Sequence, residues 1–169
     1  MRRIGLVSDT HGLVRPEALA FLGGADYIVH AGDICDEKTL AAFAGLAPVT
    51  AVRGNNDIGA WARALPLFAV VAIERVRILV LHDLGDLERA LRETATTAGV
   101  DVIVSGHSHR PHLETRAGVT RINPGSAGPR RFSLPIGVAE LIVDAGRVAP
   151  RLVTLECAPR CARTRGGLS

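Results

Sequence analysis

The sequence predicts an α/β domain, and three observations carry that prediction. Short runs rich in Val and Ile recur through the N-terminal part of the 169-residue chain. Stretches with helical periodicity separate those runs. From residue 111 the pattern changes to alternating runs punctuated by turn residues.

Arg3 to Ser8 is the first run, followed by Tyr27 to Ala31, Val49 to Arg53, Val76 to His82 and Val102 to Ser105. Each is nearly continuous in apolar residues, as in a strand buried on both faces. Pro16 to Leu22 reads as the first helix, because proline suits a first helical turn. Glu37 to Leu46 places Leu40, Phe43 and Ala44 on one side. Leu84, Leu87 and Leu91 recur at helical spacing and continue through Ala95 and Ala98. His112 to Arg116, Val119 to Asn123, Gly137 to Val143 and Val148 to Leu155 alternate. Ala117-Gly118, Pro124-Gly125 and Ala145-Gly146 separate them, which predicts an antiparallel meander. Residues 1–156 read as one domain and 157–169 as a short C-terminal tail rich in Arg and Gly.

Composition narrows the function classes. A hydrophobic fraction of 47% excludes a mostly disordered chain. The richest run, Ile73 to Leu84, is cut by Glu74, Arg75, Arg77, His82 and Asp83, far short of the ~20 apolar residues of a membrane span. Twenty Lys and Arg against 17 Asp and Glu leave a net charge of +3, scattered along the chain. Aromatic residues are 4% of the total, with one Trp and one Tyr, which argues against a surface that stacks nucleic-acid bases. Cys35, Cys157 and Cys161 form no CxxC pair, as in a reduced cytosolic protein. The apolar run after Met1-Arg2-Arg3 is too short for a signal-peptide core, so a cytoplasmic location is expected.

Polar residues interrupt the runs at one place each. The five ends read Ser8-Asp9-Thr10-His11-Gly12, His30-Ala31-Gly32-Asp33, Arg53-Gly54-Asn55-Asn56-Asp57, Leu81-His82-Asp83 and Ser105-Gly106-His107-Ser108-His109. Five of the six histidines lie in these clusters. In an open α/β sheet, the carboxyl ends of the strands line the ligand crevice, so the five clusters should converge. Asp9 and His11 share one direction if the segment is extended, as do His107 and His109. Glycines 12, 32, 54 and 106 let the backbone turn sharply. The donors are Asp9, His11, Asp33, Asn55, His82, His107 and His109. Seven exceed the three or four that one zinc takes. Two ions sharing a bridging carboxylate would use them all. A shell of Asp, Asn and His without thiolate suits manganese, nickel, iron or zinc better than calcium.

Asp9-Thr10-His11, Gly32-Asp33, Gly54-Asn55-Asn56-Asp57, His82 and Gly106-His107-Ser108-His109 stand in the order of the calcineurin-like metallophosphoesterases, which the chain resembles. Asn123-Pro124-Gly125-Ser126 with Pro129-Arg130 resembles the small YfcE-type phosphodiesterase branch. The resemblance implies two mixed β-sheets packed as a sandwich and flanked by helices. It implies one ion held by Asp9, His11, Asp33 and His109, and another by Asp33, Asn55, His82 and His107. Manganese is the first expectation, with nickel, iron, zinc and magnesium as alternatives.

The activity so implied is hydrolysis of a small phosphodiester by in-line attack of a metal-bridging hydroxide. Asp33, Asn55, Asn56 and Asp57 are the expected catalytic residues, and Arg130 is expected to meet the substrate phosphate bidentately. Ser8, Thr10 and Ser126 read as loop-shaping hydroxyls, His30 as a buried support and His112 as a surface residue. Two departures stand out. Asn56 occupies the place where many members carry a proton-donating His, and Asp83 stands where Gly is usual. The Asn56 substitution predicts slow turnover of poor leaving groups and a preference for aryl esters. The alternatives are a non-catalytic scaffold such as the retromer subunit of this fold, or a phosphomonoesterase or nuclease of the same family. The expected partner is a small-molecule phosphoester, with no membrane and no nucleic acid; homo-oligomer formation is left open.

Overall fold

Ten strands fall into two five-stranded sheets in the computed structural model, which describes residues 1–93, 99–131 and 133–157. The first sheet runs β10 (Arg147–Thr154), β9 (Gly137–Asp144), β1 (Arg2–Val7), β2 (Tyr27–His30), β3 (Val49–Ala51). The second runs β4 (Phe68–Ile73), β5 (Val76–Leu81), β6 (Val102–Val104), β8 (Val119–Asn123), β7 (His112–Arg116). The first sheet is parallel from β1 to its edge strand β3 and antiparallel through β9 and β10, whereas the second has a parallel centre with an antiparallel strand at each edge. β1, β2 and β3 are parallel, with Val7 opposite His30 and His30 opposite Ala51. β5, β6 and β8 are parallel, with Val80 opposite Val104 and Val104 opposite Ile122.

Three apolar clusters make the layers. Ile4, Leu6 and Val29 of the first sheet meet Ile78, Val80, Val102 and Ile122 of the second between the sheets. Val7, Ile28 and Val138 face outward onto α1 (Pro16–Leu22) and α2 (Glu37–Ala44) through Ala18, Leu22 and Phe43. Leu79, Leu81 and Ile103 cover the other outer face beneath α4 (Leu87–Glu93), which contributes Ala90. Helix, sheet, sheet, helix is the expected sandwich. The central strands read as continuous apolar runs because both their faces are covered.

The antiparallel meander is corrected. β7 and β8 form a hairpin in the second sheet, whereas β9 and β10 form a hairpin in the first. Pro124–Gly125 therefore ends a strand and sends the chain across the sandwich. Two elements were not anticipated. α3 (Ala60–Arg63) is a single turn, and β4 pairs with β5 through a turn at Glu74-Arg75. Glu74 takes φ +54° there, so the turn lacks the Asn or Gly that normally marks one. The expected extension of the third helix through Ala95 and Ala98, and the tail from residue 158, lie outside the described residues.

Candidate metal centre

The parallel strands of both sheets deliver their carboxyl ends to one place. Loops after β1, β2 and β3 approach loops after β5 and β6, which brings Asp9 against His109 and Asp33 against His82 across the sandwich. His11 Nε2 lies 3.3 Å from His109 Nε2 and 3.7 Å from Asp33 Oδ2. His109 Nε2 lies 3.3 Å from Asp9 Oδ1. On the other side His82 Nε2 is 3.5 Å from Asp33 Oδ2 and 3.0 Å from Asn55 Oδ1, which is also 3.0 Å from His107 Nδ1. All seven sequence-predicted donors thus meet in one chain of contacts.

The donor chemistry fits divalent ions on two independent grounds. Asp9, His11 and His109 offer donor atoms mutually within 4.8 Å, and so do Asp9, Asp33 and His82. Asp9 is common to both groups, while Asp33 Oδ2 also faces a histidine on either side. Second, the buried Asp9 Oδ1 and His109 Nδ1 have no hydrogen-bond partner among the described residues. Native interiors rarely leave such atoms unsatisfied without a reason. His82 adds a tautomer argument. Its Nδ1 is 2.8 Å from the Ala31 carbonyl, which can only accept, so Nδ1 carries a proton and Nε2, which faces Asp33 and Asn55, is the nitrogen left to bind an ion.

The reason these side chains point together differs from the expected one. Asp9 and His11 are not extended: they take φ +54° and +47°, and His107 and His109 take +65° and +58°. Asp33 adds another at +56°. Left-handed backbone is uncommon for residues with a Cβ and clusters at functional sites. The glycine argument also shifts. Gly12 and Gly32 do adopt positive φ, but Gly54 and Gly106 do not. They are needed for close approach: a Cβ on Gly54 would overlap the amide and carboxylate of Asp33, and one on Gly106 would overlap the Ser8 hydroxyl.

A second set of residues holds the first. Asp57, expected among the catalytic residues, is buried and its carboxylate accepts four backbone N–H groups. Oδ2 takes those of Asp33 (3.0 Å) and Gly54 (2.7 Å), and Oδ1 those of Ile34 and Cys35 (both 2.7 Å). These four bonds clamp the Asp33 and Asn55 loops together. Asn56 donates to Asp33 twice, from its backbone N–H at 2.8 Å and its side-chain amide at 2.6 Å. Arg130, expected at the phosphate, donates to the carbonyl of Leu134 in its own loop at 2.9 Å. Ser8, Thr10 and Ser126 bond to the Ala31 carbonyl, to His30 Nε2 and to the Asp9 carbonyl. His30 accepts the Gly32 N–H on Nδ1, so its Nε2 carries the proton toward Thr10.

Sequence reasoning gave Asn123 no role and left that of Asp83 open. Asn123, at the end of β8, donates to the Gly106 carbonyl at 2.6 Å and so pins the His107–His109 loop. Its position at a strand end was the available signal. Asp83 Oδ2 lies 3.7 Å from His107 Nε2, while its Oδ1 accepts the Gly85 N–H. That leaves His107 Nδ1 turned toward Asn55.

Electrostatics follow the packing. Burial opposes ionisation of Asp33, yet hydrogen bonds from His82 and both amides of Asn56 hold its carboxyl well below the usual range. Burial likewise opposes charge on His82, but Asp33 and the Ala31 carbonyl outweigh it and raise its pKa. Burial lowers the pKa of His11, against the pull of Asp33. Full burial drives His30 down to about 3, so it is neutral.

A family model for the calcineurin-like phosphoesterase superfamily domain matches residues 1–146. A protein of Methanocaldococcus jannaschii named a probable metallophosphoesterase is 35% identical over 164 residues, which cover 90% of this chain and 81% of that one. Another protein of that organism, named a phosphodiesterase, is 26% identical over 171 residues, covering 91% and 99% of the two chains. The crystal structure of Vps29 from Chaetomium thermophilum aligns with a TM-score of 0.71 at 22% identity, covering 92% of this chain and 98% of that one. At that identity the likeness speaks for the fold.

Proposed function

We propose, since the chain belongs to the calcineurin-like phosphoesterase superfamily, that it is a binuclear-metal phosphodiesterase acting on a small phosphodiester. The observation that carries the reading is the convergence of two carboxylates, one amide oxygen and four imidazoles, two buried atoms of which make no hydrogen bond among the described residues. Asp9, His11, Asp33 and His109 would hold one ion, and Asp33, Asn55, His82 and His107 the other. Bound there, two divalent ions supply a cationic clamp for the phosphoryl oxygens and lower the pKa of a coordinated water.

The chain's own groups set the rest. Asn56 keeps Asp33 ionised and oriented through its two donated hydrogen bonds. Asp57 fixes the relative position of the Asp33 and Asn55 loops. The Ala31 carbonyl selects the His82 tautomer that can bind an ion. Asn56 has no proton to give near neutral pH, so an alkoxide leaving group departs without help from that position. Aryl esters, whose leaving oxygens are stable as anions, are therefore favoured substrates.

Manganese is the leading ion, with nickel, iron, zinc and magnesium as alternatives, because the cell's supply and not raw affinity decides. No helix among the described residues is long and apolar enough to cross a membrane. A cytoplasmic location is part of this reading, supported by the free thiols of Cys35 and Cys157. A non-catalytic scaffold on the same fold is the second reading, kept by the missing proton donor at Asn56. Hydrolysis of bis-p-nitrophenyl phosphate by metal-depleted protein, restored by each ion in turn, separates the two. Activity with none of them, together with unchanged metal content in Asp33→Ala, refutes the enzyme reading.

A further inference from the structure

Beside the Asn55, His82 and His107 flank of the centre lies a cleft of about 190 Å³. Leu67, Phe68 and Arg53 line it together with those residues. The geometry points to this cleft as the seat for one neutral ring carried on the substrate's phosphorus, with Leu67, Phe68 and Arg53 as the residues that select it. The inference rests on the phosphodiesterase reading and names the substituent that reading leaves open.

Four observations support it. The walls are fastened to the metal ligands: Phe68 pairs with Leu81, the residue before His82, and the Arg53 N–H bonds to the Pro66 carbonyl at 2.8 Å. A seat so tied does not have to be ordered when a ligand arrives. Arg53 is half-buried, and among the described residues its guanidinium makes no hydrogen bond or ion pair. Three other half-buried arginines have partners, Arg3 in Glu140, Arg15 in the Gly128 carbonyl and Arg121 in Glu114, whereas Arg77 shares the condition of Arg53. A partly desolvated cation without a partner is costly unless a ligand covers it, and an aromatic face does so.

The other two observations set size and charge. A volume of about 190 Å³ lies below the ~300–1,000 Å³ of sites for drug-sized ligands. That volume suits a single ring. Asp83 and Asp86 also line the cleft, and their charges oppose a second anionic group on the substituent. A neutral aryl alcohol is the class that remains, in keeping with the leaving-group preference imposed by Asn56.

The test uses two non-hydrolysable probes that differ only in the substituent, methylphosphonate and phenylphosphonate. Binding to the manganese-loaded protein is measured by calorimetry. Phenylphosphonate should bind about tenfold more tightly than methylphosphonate. Leu67→Trp, which fills the cleft, should abolish that preference and leave methylphosphonate within about twofold of its original affinity. Arg53→Gln should weaken phenylphosphonate about threefold and spare methylphosphonate. The ratio of the two affinities does not depend on the fraction of folded protein.

Equal binding of the two probes, or a preference that survives Leu67→Trp, overturns the inference while the phosphodiesterase reading stands. Equal losses for both probes in Arg53→Gln overturn the role given to Arg53 by placing it at the phosphoryl group. If neither probe binds, the phosphate seat itself is absent. Both readings then fail, and bis-p-nitrophenyl phosphate should not be hydrolysed.

Discussion

Asp57→Asn is the substitution that separates a clamp from a reacting group. The change keeps the shape of the side chain and converts one carboxylate oxygen into an NH₂ donor. In the native protein each oxygen accepts two backbone N–H groups at 2.7–3.0 Å. Asparagine can serve one pair and must turn two donors against the other. Facing its oxygen toward Ile34 and Cys35 leaves the amides of Asp33 and Gly54 unpaired. Each buried N–H without an acceptor costs about 1–3 kcal/mol, so the pair costs about 2–6 kcal/mol. Set against a typical total of about 5–15 kcal/mol, the variant folds with little margin. The same change frees the loop carrying Asp33, and manganese should bind about 10–100-fold more weakly, the scale of losing an outer support of a ligand. Urea unfolding of the metal-free protein reads the first effect and calorimetric titration with manganese the second. Asp36→Asn is the control. Asp36 caps α2 by accepting the Thr39 N–H at 2.7 Å, and asparagine caps equally well, so stability should stay within about 0.5 kcal/mol. An Asp57→Asn protein as stable as that control, with unchanged manganese affinity, would refute the clamp.

Asp83→Gly restores the residue usual at that position and removes the carboxylate facing His107. One manganese site should weaken about tenfold while the other is unaffected, read as two resolved steps in the titration. Glu140 is buried between Arg3 and Arg151, with contacts of 2.6 and 2.7 Å, and although burial opposes its ionisation these partners lower its pKa. A carboxylate with a lower pKa folded than unfolded adds stability above its unfolded value, about 4.5, and loses it as pH falls through the folded value. Glu140→Gln should therefore destabilise by about 1–3 kcal/mol at pH 7, with the gap to wild type closing below pH ~4.5 in urea midpoints. A constant gap across that range would exclude this linkage. Ligand histidines must be unprotonated to bind, and the pKa of His82 is raised. Manganese affinity should fall steadily as falling pH protonates the histidines, with proton release on binding; pH-independent affinity would count against His82 as a ligand.

Most of the site was legible because its signal is local. A polar cluster ending an apolar run marks a strand's carboxyl end wherever the strand goes, so Asp9, His11, Asp33, Asn55, His82, His107 and His109 could be chosen before their contacts were known. The supports were less legible. Asp57 reads as an ordinary turn residue in Asn55-Asn56-Asp57, and its partners Ile34 and Cys35 lie more than twenty positions away. Arg130 was the conspicuous arginine by motif, yet it serves its own loop, while Arg53, inside the third cluster, lines the cleft. Partition of the last four strands between two sheets was not legible either. A turn such as Pro124-Gly125 ends a strand, but does not state which sheet comes next.

By itself, then, the sequence determined the kinds of donor present, their order and their positions at strand ends, since periodicity and residue chemistry are local properties. It also determined that Asn56 cannot act as an acid. Only the tertiary structure decided that two separate sheets share the site, that left-handed backbone and not extended alternation aims the donor side chains, and that Asp57 commits its charge to four amides. Those outcomes depend on which loops pack against which, and such contacts form between residues that no local pattern relates.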